Sequence, residues 1–482
     1  MTFIPAHTFR KVHPLAPSLS RRSLLRSGIA GGLGIVIAGS TESISGPEAA
    51  QANLNPRTGY GELIPDPAGL LALPRGFKYT IVAESGVTRL ESGEPTPGAP
   101  DGTGWFRGPH GTVLVNNHEL AGSMTNPVPT LPGLTYDPGA PGGTTNIEVD
   151  RGGNRIRQYV SLAGTLVNCA GGVTPWKTWL TGEEYELRAD GPFTQDHGYV
   201  FEVDPINIKA NVGPVPLKFL GRFAHEAVAV DPKTFTIYET EDASGPNGLY
   251  YRWLPPQGFR GCKGALRDLA LNQGINAGTL QAMSCFDAGR HVADLSEATE
   301  PGTRYTVRWI TVPDRDARET SIRRQFGHDE VTHARKLEGA WWGNGGAYFV
   351  SSFARTDDGS LRAHDGQVWF YNPRTSTVTL KTIFGVNPDP GREGTFDGPD
   401  NITVSPYGGI ILAEDGVGVS HLIGVTAHGT AFPMARNQLS DGEFTGPVFS
   451  GDARILFANF QHPGHVFAIT GRWGKPDRSG TY

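Results

Sequence analysis

Four segments of this chain open on glycine, alternate apolar with polar or aromatic residues, and then turn. They are Gly198-Tyr-Val-Phe-Glu-Val-Asp-Pro, Gly248-Leu-Tyr-Tyr-Arg-Trp-Leu-Pro, Gly366-Gln-Val-Trp-Phe-Tyr-Asn-Pro and Gly464-His-Val-Phe-Ala-Ile-Thr. Each reads as a β-strand closed by a turn. A second unit recurs between them, an acidic residue followed by two strands and a short turn. It appears from Glu226, from Asp400 and from Glu443, and in a shorter form from Glu338. Strand, turn and strand repeated at intervals of this kind predict an all-β fold whose blades surround a channel, a β-propeller. A six-bladed propeller over residues 106–472 suits the length, with insertions such as 262–330, where Ala265–Asn272 is the helix-like stretch. One or a few short helices are expected.

Composition agrees with a turn-dense chain. Among 482 residues, 65 are glycine and 37 proline, and 38% are hydrophobic. A formal charge of −6 with no lysine or arginine stripe argues against a nucleic-acid partner. The first residues read as an address. Ser20-Arg21-Arg22-Ser23-Leu24-Leu25 precedes a mildly apolar, glycine-rich run, and Ala50-Gln51-Ala52 offers a small-x-small cleavage site. Twin arginines before such a run predict a twin-arginine export signal over 1–52, hence the export machinery as a partner. The expected location is periplasmic, cell-surface or extracellular, and the expected form a monomer. Residues 53–105 are expected to wrap the surface and 473–482 to form a tail. No later stretch suggests a membrane span.

For an exported protein three cysteines are too few for a disulfide framework. A Cys262–Cys285 bridge is plausible and leaves Cys169 unpaired, so Cys169 needs burial or a metal. It sits in Asn168-Cys-Ala-Gly-Gly-Val-Thr-Pro-Trp-Lys-Thr-Trp-Leu-Thr-Gly-Glu183-Glu184, a stretch without helical periodicity. Other acids border apolar strand segments: Glu119 in Asn117-His118-Glu119, Glu226, Glu338, Asp400 and the Glu414-Asp415 pair. A residue opening an inner propeller strand lies at one mouth of the channel, so acids from separate blades converge there. Their mutual repulsion would raise their pKa values unless cations intervene. Carboxylates suit Ca²⁺ or ferric iron, and a thiolate suits a transition metal. Together they imply a multinuclear site with more than one metal.

Rival chemistries lack their motifs: there is no C-x-x-C, H-E-x-x-H, P-loop or G-x-S-x-G. His118 and His225 fall on the opposite strand face from the acids that follow them and read as structural hydrogen-bond partners. Trp176/Trp179 and Trp341/Trp342 read as blade packing.

The Asn117–Glu119, Asn168–Glu184 and Gly221-Arg-Phe-Ala-His-Glu226 stretches, with Tyr238-Glu-Thr-Glu-Asp242 and Asp400-Asn-Ile-Thr-Val-Ser-Pro, resemble the PhoX-type alkaline phosphatases over roughly 57–472. The resemblance implies a six-bladed propeller that hydrolyses phosphate monoesters with two Fe³⁺ and two to three Ca²⁺ ions. Carried onto this chain, it makes Cys169 an iron ligand and Glu119, Glu184 and Glu226 carboxylate ligands. Glu338, Asp400 and Glu414 then complete the cluster around calcium. Alternation along a strand lets only one of Glu183 and Glu184 face the channel. The family's arginine two residues before the acid at Glu338 is Lys336 here, beside Arg335, so these two are the expected phosphate clamp. Lysine lacks the bidentate fork of arginine. Two other readings compete, a calcium-bound propeller lactonase and a metal-stabilised binding scaffold; neither needs a thiolate at position 169.

Overall fold

A computed structural model describes residues 58–356 and 360–474. The chain is built almost wholly of short antiparallel meanders, because turn residues interrupt the apolar alternation every few positions. Six inner strands stand side by side around an axis: Pro100–Arg107, Gly171–Val173, His225–Val230, Leu337–Gly343, Pro399–Val404 and Phe444–Phe449. Each packs on the next in that order and the last returns to the first. The fold is a β-propeller.

Two features depart from one sheet per inner strand. The sheets begun by His225–Val230 and Leu337–Gly343 merge into one of 11 strands, because Arg304–Thr311 pairs on one side with Thr279–Asp287 and on the other with Thr377–Phe384. That bridging strand comes from the insertion that also holds helix α1 (Ala265–Gln273), which buries Leu266 and Leu269 against the neighbouring core. The ring is closed by distant parts of the chain. Lys78–Glu84 pairs antiparallel with His465–Thr470, completing the sheet that begins at Phe444. Lys78–Glu84, and Pro100–Arg107 up to residue 105, are blade strands inside the 53–105 stretch expected to wrap the surface.

Trp179, Trp253 and Trp369 are fully buried between the sheets and anchor the cores, with Tyr and Phe rings around them. Cys262 is exposed and Cys285 buried, and both are free thiols. The plausible Cys262–Cys285 bridge is not formed: Cys285 belongs to an apolar core, where burial pushes its thiol up to about 12. The proposed export signal lies outside the described residues, as do residues 475–482.

Candidate functional site: an acid-lined channel mouth

A bulge repeats at the start of the inner strands. In four of them two residues oppose one on the neighbouring strand, and the first of the two is acidic: Asp101-Gly102, Glu226-Ala227, Glu338-Gly339 and Asp400-Asn401. A bulge bends the strand and re-aims its side chains, so each acid turns from the sheet toward the axis. The second residue is small where the next inner strand passes close. A Cβ on Gly102 would lie 2.6 Å from Ala170 Cα, and one on Gly339 would lie 2.7 Å from Asn401 Cα. Hydrogen bonds lace the ring there: Gly102 N donates to Cys169 O at 3.0 Å, and Ala170 N to Glu226 O at 3.1 Å.

A second repeat follows the neighbouring strands. Where each ends, two polar residues come in succession: His118-Glu119, Glu183-Glu184, Glu241-Asp242 and Glu414-Asp415. The first of each pair is used to hold the blade. Glu183 accepts from Leu166 N and Gly198 N at 2.9 Å, from Tyr199 N at 3.1 Å and from His197 Nδ1 at 2.6 Å. Glu414 accepts from Asp397 N at 2.6 Å, His421 N at 2.7 Å and His421 Nδ1 at 2.8 Å. His118 bonds Gly98 O and Thr145 Oγ1, both at 2.8 Å, and burial pushes its pKa down to about 4. The second residue of each pair lines the channel mouth.

The mouth is a cavity of about 680 Å³. Of the residues expected there, the structure brings together Glu119, Cys169, Glu184, Glu226, Glu338 and Asp400, with Lys336 and Arg335 on the wall. It does not bring Glu183 or Glu414: their carboxylates are saturated by backbone and histidine donors behind the wall, and Asp415 takes the place expected of Glu414. Asp101, Asp242 and Glu443 also reach the site and were not singled out as ligands. The signal for Asp101 was the acid-glycine step before Thr103-Gly-Trp-Phe, the same step as Glu338-Gly339. That for Asp242 was its place directly after Glu241, as Glu184 follows Glu183. Glu443 opened a recognised unit.

Four overlapping groups of these side chains could each hold an ion, their ligand atoms within 4.8 Å of one another. The groups are Asp101–Glu119–Cys169, Cys169–Glu184–Glu226, Glu226–Glu338–Asp400 and Asp400–Asp415–Glu443. Each shares a residue with the next, so they form a chain around the mouth. Burial, and then the neighbouring carboxylates, push Glu184, Glu226 and Glu443 well above the usual carboxylate range. Glu338 and Asp400 are also raised well above it, by burial, which outweighs the opposing pull of Lys336. Asp101 is pushed up to about 8 by burial and by Glu119. Burial likewise raises the Cys169 thiol, with Asp101 and Glu226 adding to it. Burial alone would lower the Lys336 pKa, but Glu338, Asp242, Asp415 and Asp400 outweigh it and the ammonium is held well above its ordinary value. Its Nζ bonds Glu338 and lies 3.8 Å from Asp415 Oδ2.

The residues fit metal ions. Both oxygens of Glu226 and Oδ1 of Asp101 are buried without a nitrogen or hydroxyl donor, and the donor beside them is the Cys169 thiol. One thiol proton cannot satisfy three carboxylate oxygens, and an unsatisfied buried carboxylate is costly. Cations among them satisfy all three.

A propeller whose axis ends in a ring of carboxylates, one thiol and three cationic side chains, Arg323, Arg335 and Lys336, defines a metallohydrolase class suited to anionic esters. The chain matches the family described as Alkaline phosphatase PhoX over residues 58–464. It belongs to the PhoX alkaline phosphatase family and is a phosphatase. Its fold is similar to that of Pseudomonas fluorescens PhoX in complex with vanadate, a transition state analogue, with a TM-score of 0.63 and 18% identity. The match covers 86% of this chain and 98% of that one. A gluconolactonase from Xanthomonas campestris matches with a TM-score of 0.38 and 11% identity, covering 86% of this chain and 98% of that one. Among curated proteins no match is found.

Proposed function

We propose that this phosphatase is exported and releases phosphate from monoesters with an iron–calcium cluster at the acid-lined mouth. The observation that carries the reading is the set of buried carboxylate oxygens of Glu226 and Asp101 that no nitrogen or hydroxyl donor satisfies. Cys169 with Glu119, Glu184 and Glu226 would hold two Fe³⁺, the thiolate marking the softer end of the site. Glu338, Asp400, Asp415 and Glu443 would hold two to three Ca²⁺ through oxygen alone. Held there, such a cluster would neutralise charge on a transferring phosphoryl group and supply a nucleophile at the working pH.

The chain's own residues do the rest. Lys336, held at the cavity wall between Glu338 and Asp415, presents an ammonium that clamps a phosphoryl oxygen. The positive φ of Lys336, 44°, turns the backbone just before the inner strand, and Arg335 next to it also lines the cavity. Arg335 offers a second cation beside Phe353, its guanidinium carbon 5.7 Å from the ring centroid. Glu183 and Glu414, locked behind the wall, hold the peptide segments from which Glu184 and Asp415 project.

Counting the 11-stranded sheet as two blades, the architecture is six-bladed. Export rests on the twin-arginine pattern at Arg21-Arg22. Among the described residues no helix is long and apolar enough to cross a membrane.

The test is hydrolysis of p-nitrophenyl phosphate before and after chelation. Activity should vanish on metal removal and return only when iron and calcium are both supplied; activity that survives chelation, or returns with calcium alone, contradicts the iron–calcium reading. Fractionation of cells carrying Arg21→Lys/Arg22→Lys tests export: the protein should stay in the cytoplasm, and unchanged export rules out the twin-arginine route.

A further inference from the structure

Two of the inner strands that carry acids at one end carry tryptophans at the other. Trp105 lies near the far end of Pro100–Arg107, and Trp341 and Trp342 near the far end of Leu337–Gly343. Between them opens a second cavity of about 650 Å³ at the opposite mouth of the channel. Its volume is within the usual range for small-molecule sites, about 300–1,000 Å³. The three indoles are only half-buried, in contrast to Trp179, Trp253 and Trp369. A large ring left half open to a concave, mostly apolar wall has apolar surface still to cover.

Charge at this mouth has one sign. The charged residues that line it are Arg107, Lys177 and Lys263, and no acid among the described residues lines it, although the chain carries a formal −6. Lys177 is set there by local geometry. The turn closed by Thr178 N donating to Thr174 Oγ1 at 2.9 Å puts Lys177 at a φ of 68°, a conformation that a side chain other than glycine adopts at some cost. The residue is exposed. Lys263 is already engaged, its Nζ 2.9 Å and 3.1 Å from the two oxygens of Asp204. Lys177 and Arg107 are therefore the cations at this mouth that a ligand would meet.

We propose that this mouth is a second binding site, separate from the phosphatase centre, for a small aromatic monoacid. The ring would lie against Trp105, Trp341 and Trp342, and the carboxylate or sulfonate would face Lys177 and Arg107. Stacking supplies the affinity for a flat apolar body, and the unopposed cations select an anion over its neutral analogue.

The experiment titrates 2-naphthoate into the metal-loaded full-length protein by calorimetry, with tryptophan fluorescence in parallel. One saturable site per chain with Kd below about 1 mM is expected, with quenching of the indoles. The neutral analogue 2-naphthol should bind about tenfold more weakly, a difference of ~1.4 kcal/mol that a screened charge contact can supply. Lys177→Glu should weaken naphthoate by at least that factor and leave p-nitrophenyl phosphate turnover unchanged. Inorganic phosphate should not displace naphthoate. Absence of saturable binding, equal affinity for 2-naphthol, no effect of Lys177→Glu, or displacement by phosphate would each overturn the proposal. The comparison of acid and neutral analogue uses the unaltered protein, so it holds even if the variant fails to fold.

Discussion

Removing metal from the acid-lined mouth should make stability fall as pH rises. Asp101 sets the scale: its pKa is raised from 3.8 to about 8 in the folded protein, first by burial and then by Glu119. A carboxyl whose folded pKa lies above its unfolded value contributes stability below the unfolded pKa and loses it as pH climbs to the folded one. The window is thus about pH 4 to 8. Roughly four units at ~1.36 kcal/mol each amounts to on the order of 5 kcal/mol. Glu184, Glu226, Glu338, Asp400 and Glu443 act in the same direction. Their shifts are not added, because each already contains the charge of its neighbours. Against a typical total of about 5–15 kcal/mol, a loss of this size leaves a marginal fold at pH 8. Urea denaturation of chelator-treated protein at pH 5, 6, 7 and 8 should show a midpoint that falls at each step. Reloading with Fe³⁺ and Ca²⁺ should abolish the slope, because bound cations favour the ionised carboxylates. A metal-free protein equally stable at pH 5 and pH 8, or more stable at pH 8, would refute the reasoning.

Further outcomes separate the wall of the site from its lining. Glu183→Gln strands some of the four donors its carboxylate now satisfies and should cost about 2–4 kcal/mol in denaturant unfolding, at about 1–3 kcal/mol for each buried donor left unpaired, while metal content stays unchanged. Glu184→Gln should do the reverse, lowering bound metal measured by mass spectrometry with less effect on the metal-free midpoint. Gly339→Ala pushes a methyl against the backbone of Asp400 and Asn401 and should destabilise by about 1–3 kcal/mol, seen as an earlier thermal transition. Lys336→Met should lower kcat/KM for p-nitrophenyl phosphate at least about tenfold, the scale of one lost charged contact, and unchanged kinetics would remove Lys336 from the clamp.

Much of the fold was legible because strand alternation and turn residues are local signals. Gly248–Leu254 and Gly366–Asn372 are strands, and Ala265–Gln273 is an α-helix, near where periodicity put them. The closing strand Lys78–Glu84 was not legible, since its partner lies almost 400 residues away and no local pattern records the pairing. The same limit shaped the site. Glu226, Glu338 and Asp400 stood out because each opens an apolar strand. Asp101 opens one too, but the proline- and glycine-rich run before it hid the strand. Glu183-Glu184 and Glu414-Asp415 present two acids in a row, and composition cannot say which turns inward. Strand registers that satisfy Gly198 N, Tyr199 N and His421 N take up the first acid of each pair and release the second to the cavity.

The central claim is that a thiolate and a ring of carboxylates hold iron together with calcium at one end of the propeller. It is tested most directly by metal analysis of the purified protein, unaltered and with Cys169→Ala, joined to a visible spectrum. The account predicts iron and calcium in the unaltered protein, with a thiolate-to-iron charge-transfer band. It further predicts loss of that band and of iron on Cys169→Ala, with calcium retained. Protein without iron, or a Cys169→Ala variant whose iron content and spectrum match the unaltered chain, would contradict it.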